Sequence, residues 1–152
     1  MQPRITNPAL TLPGAMDALQ ALNAAVESGG VPQRTLELVH LRASEINGCG
    51  VCSAGACTIA RRGGETEERL FAVHAWRQAP YFSPAERAAL ALTECVTRLS
   101  DREDPVPDAV WCAAAEHYSP NQLASLVLAI ASINVWNRLN VATGQVVGDW
   151  VP

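Results

Sequence analysis

Apolar positions recur every three or four residues along most of this chain, and helix caps and glycine pairs punctuate the stretches they mark. That pattern belongs to amphipathic helices, and no strand-like alternation competes with it. A first helix is predicted over 15–27, closed by Gly29-Gly30, which can take the left-handed backbone that helix ends favour. Pro32 opens a second over 33–45, with Leu38, Val39, Leu41 and Ile46 near one side, Glu37 beside them, and Asn47-Gly48 at its end. A third is predicted over 49–62, stopped by Gly63-Gly64, and a fourth over 65–78. Ser83-Pro84-Ala85-Glu86 is a capping box with proline at the first helical position, so a fifth helix starts there and runs to about Leu99. After a polar linker at 101–105 a sixth covers 107–117. Ser119-Pro120-Asn121-Gln122 then repeats the cap grammar to start a seventh, reaching about Asn140. The fold class expected is all-α: one domain of six to seven helices over 1–152, with 1–12 and 144–152 as arms or frayed termini.

The seventh helix carries the longest apolar run, 123–135, interrupted by Ser125, Ser132 and Asn134. Thirteen residues fall short of the roughly 20 that a membrane-spanning helix needs, so no membrane partner is expected. A helix apolar around most of its circumference must be covered on several sides, and in so small a domain part of that cover is expected from another subunit. The expected assembly is a homo-oligomer, a trimer or hexamer, with a dimer as the alternative.

Composition sharpens this picture. Twenty-five alanines favour helix. The net charge is −4, every cation is arginine, and no basic cluster exceeds Arg61-Arg62, so nucleic acid is not an expected partner. That pair is explained by the favourable placement of cations in a helix's last turn. At 152 residues the chain buries about two thirds of its unfolded surface and needs no disulfide to hold it together. Residues 1–9 lack the basic and apolar pattern of a secretory leader, so a reducing cytoplasm is the expected location.

The five cysteines are therefore free for chemistry. Cys49 and Cys52, three apart on a helix, can approach within disulfide reach. At a helix start, partial positive charge lowers a thiol's pKa and makes the thiolate available. Such a thiolate can attack a peroxide oxygen to give a sulfenic acid, which the second thiol condenses to a disulfide. Zinc is the rival reading of CxxC, but His40, His74 and His117 are scattered and no second pair exists, so no metal or cofactor is expected. Cys57, Cys95 and Cys112 read as small core hydrophobes. Glu37 lies eleven residues before Cys49, one helix away from the pair.

With these residues in place the chain resembles the carboxymuconolactone decarboxylase superfamily on its alkylhydroperoxidase D-like side. The resemblance spans nearly everything from Gln33 to Asn140. It is carried by Glu37-Leu38-Val39, Leu41-Arg42-Ala43-Ser44-Glu45-Ile46-Asn47-Gly48-Cys49, Cys52, Ala75-Trp76-Arg77, Glu86-Arg87-Ala88-Ala89-Leu90 and Ile133-Asn134-Val135-Trp136-Asn137-Arg138-Leu139-Asn140. It implies an oligomeric helical fold and a thiol peroxidase. In that activity Cys52 attacks the peroxide, Cys49 resolves, and Glu37 belongs to a proton relay with a histidine four residues after Cys52. Here that position is Ala56. A general acid or base typically contributes about 10² to 10⁴ in rate, so the departure is chemically serious. His40 shares a face with Glu37 and is one substitute, although a solvated surface place is its ordinary reading; Cys57 points about 100° away, and a bound water is the third option.

Three functions are thus expected in competition. The first is a peroxidase for a small hydroperoxide, recharged by a dithiol reductant. The second is a dithiol redox sensor or catalytically silent oligomeric binding protein, motivated by Ala56. The third is decarboxylation of a small lactone acid, which does not depend on CxxC. Trp136, Asn137 and Arg138 are candidates for the pocket wall, with packing and helix-end hydrogen bonds as their ordinary reading.

Overall fold

The computed structural model describes residues 1–101 and 103–148. Its α-helices are α1 (Pro8–Thr11), α2 (Ala15–Ser28), α3 (Gln33–Ile46), α4 (Gly50–Arg62), α5 (Glu67–Ala72), α6 (Pro84–Thr97), α7 (Asp108–Ala115) and α8 (Pro120–Thr143). Tight 3₁₀ turns occupy Val73–Ala75 and Leu99–Asp101, and no strand occurs among the described residues. The all-helical expectation holds. Both capping boxes form: Ser83 Oγ accepts from the Glu86 amide at 3.2 Å while Glu86 accepts from the Ser83 amide at 2.8 Å. Ser119 and Gln122 do the same at 3.4 and 3.0 Å.

The central helix is α3, which packs against α4, α6 and α8. On one side Leu36 and Val39 meet Val26 of α2, Leu92 of α6 and Leu126 and Ile130 of α8. On another, Leu38 and Leu41 meet Ala56, Ala60, Val73, Trp76 and Leu90. A third, smaller cluster joins Ala43 to Cys49, Val51, Cys52 and Ile133. A helix covered on so many sides must find partners for its polar groups inside the protein. Arg42 Nη2 accordingly reaches Glu94 Oε1 at 2.7 Å, and the Ser44 hydroxyl donates to the His40 carbonyl at 2.7 Å.

The predicted fourth helix is shorter than expected and broken. Helix α5 begins only after Thr66, and the backbone tightens to 3₁₀ geometry at Val73. A single side chain holds the loop that follows. The Arg87 guanidinium gathers the carbonyls of Trp76 at 3.1 Å, Arg77 at 3.2 Å, Phe82 at 3.0 Å, and Ala79. Pro80 has no amide hydrogen to offer the Trp76 carbonyl, and the loop folds around one side chain.

Residues 1–12, expected as an arm or a frayed terminus, are bonded to the end of α8. The Arg4 amide donates to the Thr143 carbonyl at 2.8 Å, Arg4 Nη1 to Ala142 at 2.9 Å, and Gln145 Nε2 to the Ile5 carbonyl at 2.9 Å. The amino-terminal segment is thus a strap fastened to the end of α8. Of the predicted carboxyl-terminal arm, 149–152 lie outside the described residues. Cys95 is buried as expected, whereas Cys57 is half-buried and Cys112 exposed. The single buried residue of α7 is Ala114, two positions on, so Cys112 faces away from the core. No helix among the described residues is long and apolar enough to cross a membrane.

Glu65 shows how the framework handles charge. Its carboxylate accepts from Arg34 at 2.9 and 3.0 Å, from Arg69 Nε at 2.8 Å and from the Thr66 amide at 3.1 Å. Burial opposes the charge, but these donors outweigh it and hold the pKa at about 2. A depressed carboxyl stabilises the fold above its unfolded pKa and loses that contribution as pH falls through the folded value. Glu65→Gln should therefore lower stability at pH 7 by about 3 kcal/mol. In urea unfolding, the gap from wild type should close as pH falls from about 4.5 towards 2.

Candidate dithiol site

The site is built on the turn between α3 and α4. Gly48, at φ 65°, reverses the chain, a conformation open to glycine at little cost. Asn47 Nδ2 beside it donates to Asn134 Oδ1 at 3.0 Å and Asn137 Oδ1 at 2.8 Å, both on α8. Asn137 in turn donates to Ser44 Oγ at 3.0 Å. The turn is clamped from within.

Cys49 lies at the cap of α4 rather than inside the helix, its Sγ accepting from the Cys52 amide at 3.2 Å. The two cysteines form a disulfide with Cα atoms 5.4 Å apart. Both are buried, but Cys52 alone of the two lines the adjoining cavity.

This cavity has a volume of about 390 Å³ and lies among α2, α3, α4 and α8, with the strap along one side. Glu37 and His40 enter from α3, Cys52 and Ala56 from α4, and Trp136 and Asn140 from α8. Of the three residues singled out by sequence, Cys49 is bonded to Cys52, and Cys52 lines the same cavity as Glu37. Glu37 is 7% exposed. Burial pushes its carboxyl up, a hydrogen bond from Gln33 pulls it down, and the neighbouring charges of Glu65 and Arg34 oppose one another. An acid raised in this way can take and return a proton closer to neutrality. A β-carbon at Gly63 would stand 3.6 Å from both carboxylate oxygens, an ordinary van der Waals contact.

His40 is not the solvated surface residue that its ordinary reading suggests. It is half-buried on the cavity wall, and burial pushes its imidazole down to about 4, leaving it neutral at pH 7. Ala56, where the resemblance calls for histidine, is a buried methyl on the wall. Of the α8 trio, Trp136 lines the cavity. Asn137 is taken up by the clamp, and Arg138 is exposed, donating to the Asn134 carbonyl at 2.9 Å.

Asn140 went unassigned at the level of sequence. Its Nδ2 donates to Cys52 Sγ at 3.2 Å, and its Oδ1 accepts from Asn7 Nδ2 at 2.7 Å. The available signal was the spacing Asn134, Asn137, Asn140, an amide row on one side of an otherwise apolar helix. Charge is lopsided around the cavity: Glu37 lies within, exposed Glu27 at the rim, and no arginine is among its described lining residues.

Known proteins resemble this chain in sequence and fold to different degrees. Residues 13–94, just over half the chain, match the model of the carboxymuconolactone decarboxylase family. The uncharacterised protein YdfG of Bacillus subtilis is 36% identical over 133 residues, covering 88% of this chain and 89% of its own. YnjA of Escherichia coli, also uncharacterised, is 33% identical over 106 residues, 69% of this chain and 56% of its own. Among solved structures, a protein of unknown function from Agrobacterium tumefaciens, proposed as the antioxidant defence protein AhpD, superposes with a TM-score of 0.89. Its identity is 32%, over 98% of this chain and 100% of that one. The debrominase Bmp8, solved with 2,3,4-tribromopyrrole, shares the fold at a TM-score of 0.79 and 19% identity, over 91% of this chain and 73% of that one. With the helical frame, the bonded pair and a relative matching along most of its length, this chain belongs to the carboxymuconolactone decarboxylase family and has an AhpD-like fold.

Proposed function

We propose that the protein is a thiol-dependent peroxidase for neutral organic hydroperoxides. The observation that carries the reading is that Cys52, one half of the bonded pair, opens onto a cavity that Glu37 also lines. In this reading the Cys52 thiolate attacks the terminal peroxide oxygen. The O–O bond breaks, the alkoxide leaves as an alcohol with a proton relayed by Glu37, and Cys52 becomes a sulfenic acid. Cys49 attacks that sulfur, hydroxide leaves and is protonated to water, and the disulfide forms. A dithiol reductant restores both thiols by exchange.

Size and charge support the substrate class. A cavity of about 390 Å³ suits a small organic molecule, and hydrogen peroxide would leave most of it unfilled. A carboxylate substrate would meet Glu37 and Glu27 with no cation among the described lining residues to receive it, which disfavours both fatty-acid hydroperoxides and a lactone acid for decarboxylation. The sensor reading draws on Ala56. In that case mild oxidation removes two thiols without sustained turnover.

The assembly is proposed from α8. Ala124, Leu128, Ala131 and Val135 lie outward on it at spacings of four, three and four, with Leu128 38% and Val135 39% exposed. That is a seam for another helix, and a second copy of this chain is the proposed occupant.

With dithiothreitol as reductant, wild type should consume cumene hydroperoxide and prefer it to linoleic acid hydroperoxide, and Cys52→Ser should fall to background. Equal rates for wild type and variant would sink the peroxidase reading. Supplying the absent imidazole by Ala56→His should raise the rate about tenfold or more; an unchanged rate would place the proton relay elsewhere. Light scattering should return a multiple of the chain mass, reduced to one chain by Leu128→Glu with Val135→Glu. A monomeric wild type at micromolar concentration would contradict the assembly.

A further inference from the structure

The amide of Cys52 is directed at the sulfur of Cys49, 3.2 Å away, so the end of α4 serves the capping cysteine and leaves the cavity-facing one to find its donor elsewhere. That donor is Asn140 Nδ2, 3.2 Å from Cys52 Sγ. Side-chain amides can face either way, but here the direction is imposed from outside. The Ala9 backbone amide, which cannot act as an acceptor, donates to Asn7 Oδ1 at 2.9 Å. Asn7 must then turn its nitrogen towards Asn140, whose Oδ1 accepts it at 2.7 Å, and Asn140 is left with its nitrogen on the sulfur. Reversing Asn140 would set two NH₂ groups against each other and an oxygen against the sulfur lone pairs. Every link donates towards Cys52.

The chain begins on the strap that Arg4, Ile5 and Gln145 fasten to the end of α8. Asn7 and Leu10 of the same strap line the cavity. Asn140 is 9% exposed, so water competes little for its bonds. A disulfide sulfur is a weak acceptor, whereas the thiolate formed on reduction is a charged one, and hydrogen bonds to ions are roughly twice as strong. We infer that Asn140 stabilises the Cys52 thiolate and that Asn7 is its positioning residue, so that the strap walling the cavity also sets the reactivity of the sulfur inside it. The inference rests on Cys52 being the nucleophile proposed above, but its readout is independent of peroxide turnover.

The test is the pH dependence of iodoacetamide alkylation at Cys52 in the reduced full chain, resolved by peptide mass spectrometry. Asn140→Ala removes the donor and should move the midpoint up by about one unit, which is about tenfold less thiolate below the midpoint. Asn7→Ser keeps a good cap for α1 but is too short to reach Asn140, and should move the midpoint in the same direction by a smaller amount. The double variant should shift no further than Asn140→Ala alone, because Asn7 acts only through Asn140. An unchanged midpoint in Asn140→Ala overturns the donor role, and additive shifts overturn the chain. Should Asn140→Ala not fold, Asn7→Ser decides by itself, since an unmoved midpoint there removes the coupling. Shifted midpoints in a protein that consumes no peroxide would leave the donor chain standing and dismiss the peroxidase reading alone.

Discussion

The amide clamp at the start of α4 is the constraint on which the site depends. Asn47 reaches across to Asn134 and Asn137 at 3.0 and 2.8 Å, and Asn137 reaches back to Ser44 at 3.0 Å. Buried amides of this kind are costly unless every group is paired, so the clamp has little freedom to accept an alternative register. By fixing the turn, it fixes where α4 begins, which cysteine caps it, and which faces the cavity. The same bonds bring α8 close enough for Asn140 to touch Cys52.

Around that fixed point the site combines a raised acid, a neutral imidazole and a sulfur with a side-chain donor, while the position that would hold a histidine is a methyl. These features are complementary. With a methyl at Ala56 in place of an imidazole, the side-chain donor that reaches the Cys52 sulfur is the neutral amide of Asn140. The charged residues among the cavity's described lining are Glu37 and Glu27, both acidic.

Much of the frame was legible because it is written locally. Ser83 with Glu86 and Ser119 with Gln122 are signals contained within four residues, and each marks its helix start correctly. Glu37, Cys49 and Cys52 were legible through spacing, because a helix, a short turn and a second helix place them with little ambiguity. What failed to show was non-local. Arg87 holds the loop after Val73 by carbonyls five to eleven positions earlier in the chain, and nothing in the 65–78 stretch announces it. The pairing of Asn7 with Asn140 joins residues 133 apart. His40 was misplaced because helical phase tells which residues share a face but not whether a cavity lies over that face.

The bridge between Cys49 and Cys52 spans a sequence separation of only 3. Closing so small a loop removes little freedom from the unfolded chain, about 2 kcal/mol by loop entropy, less than the roughly 3 kcal/mol expected for a fifteen-residue loop. Most of the architecture owes nothing to that bond. The bridge is thus a minor share of what holds the scaffold, and the two sulfurs sit in a frame that does not need them as a rivet.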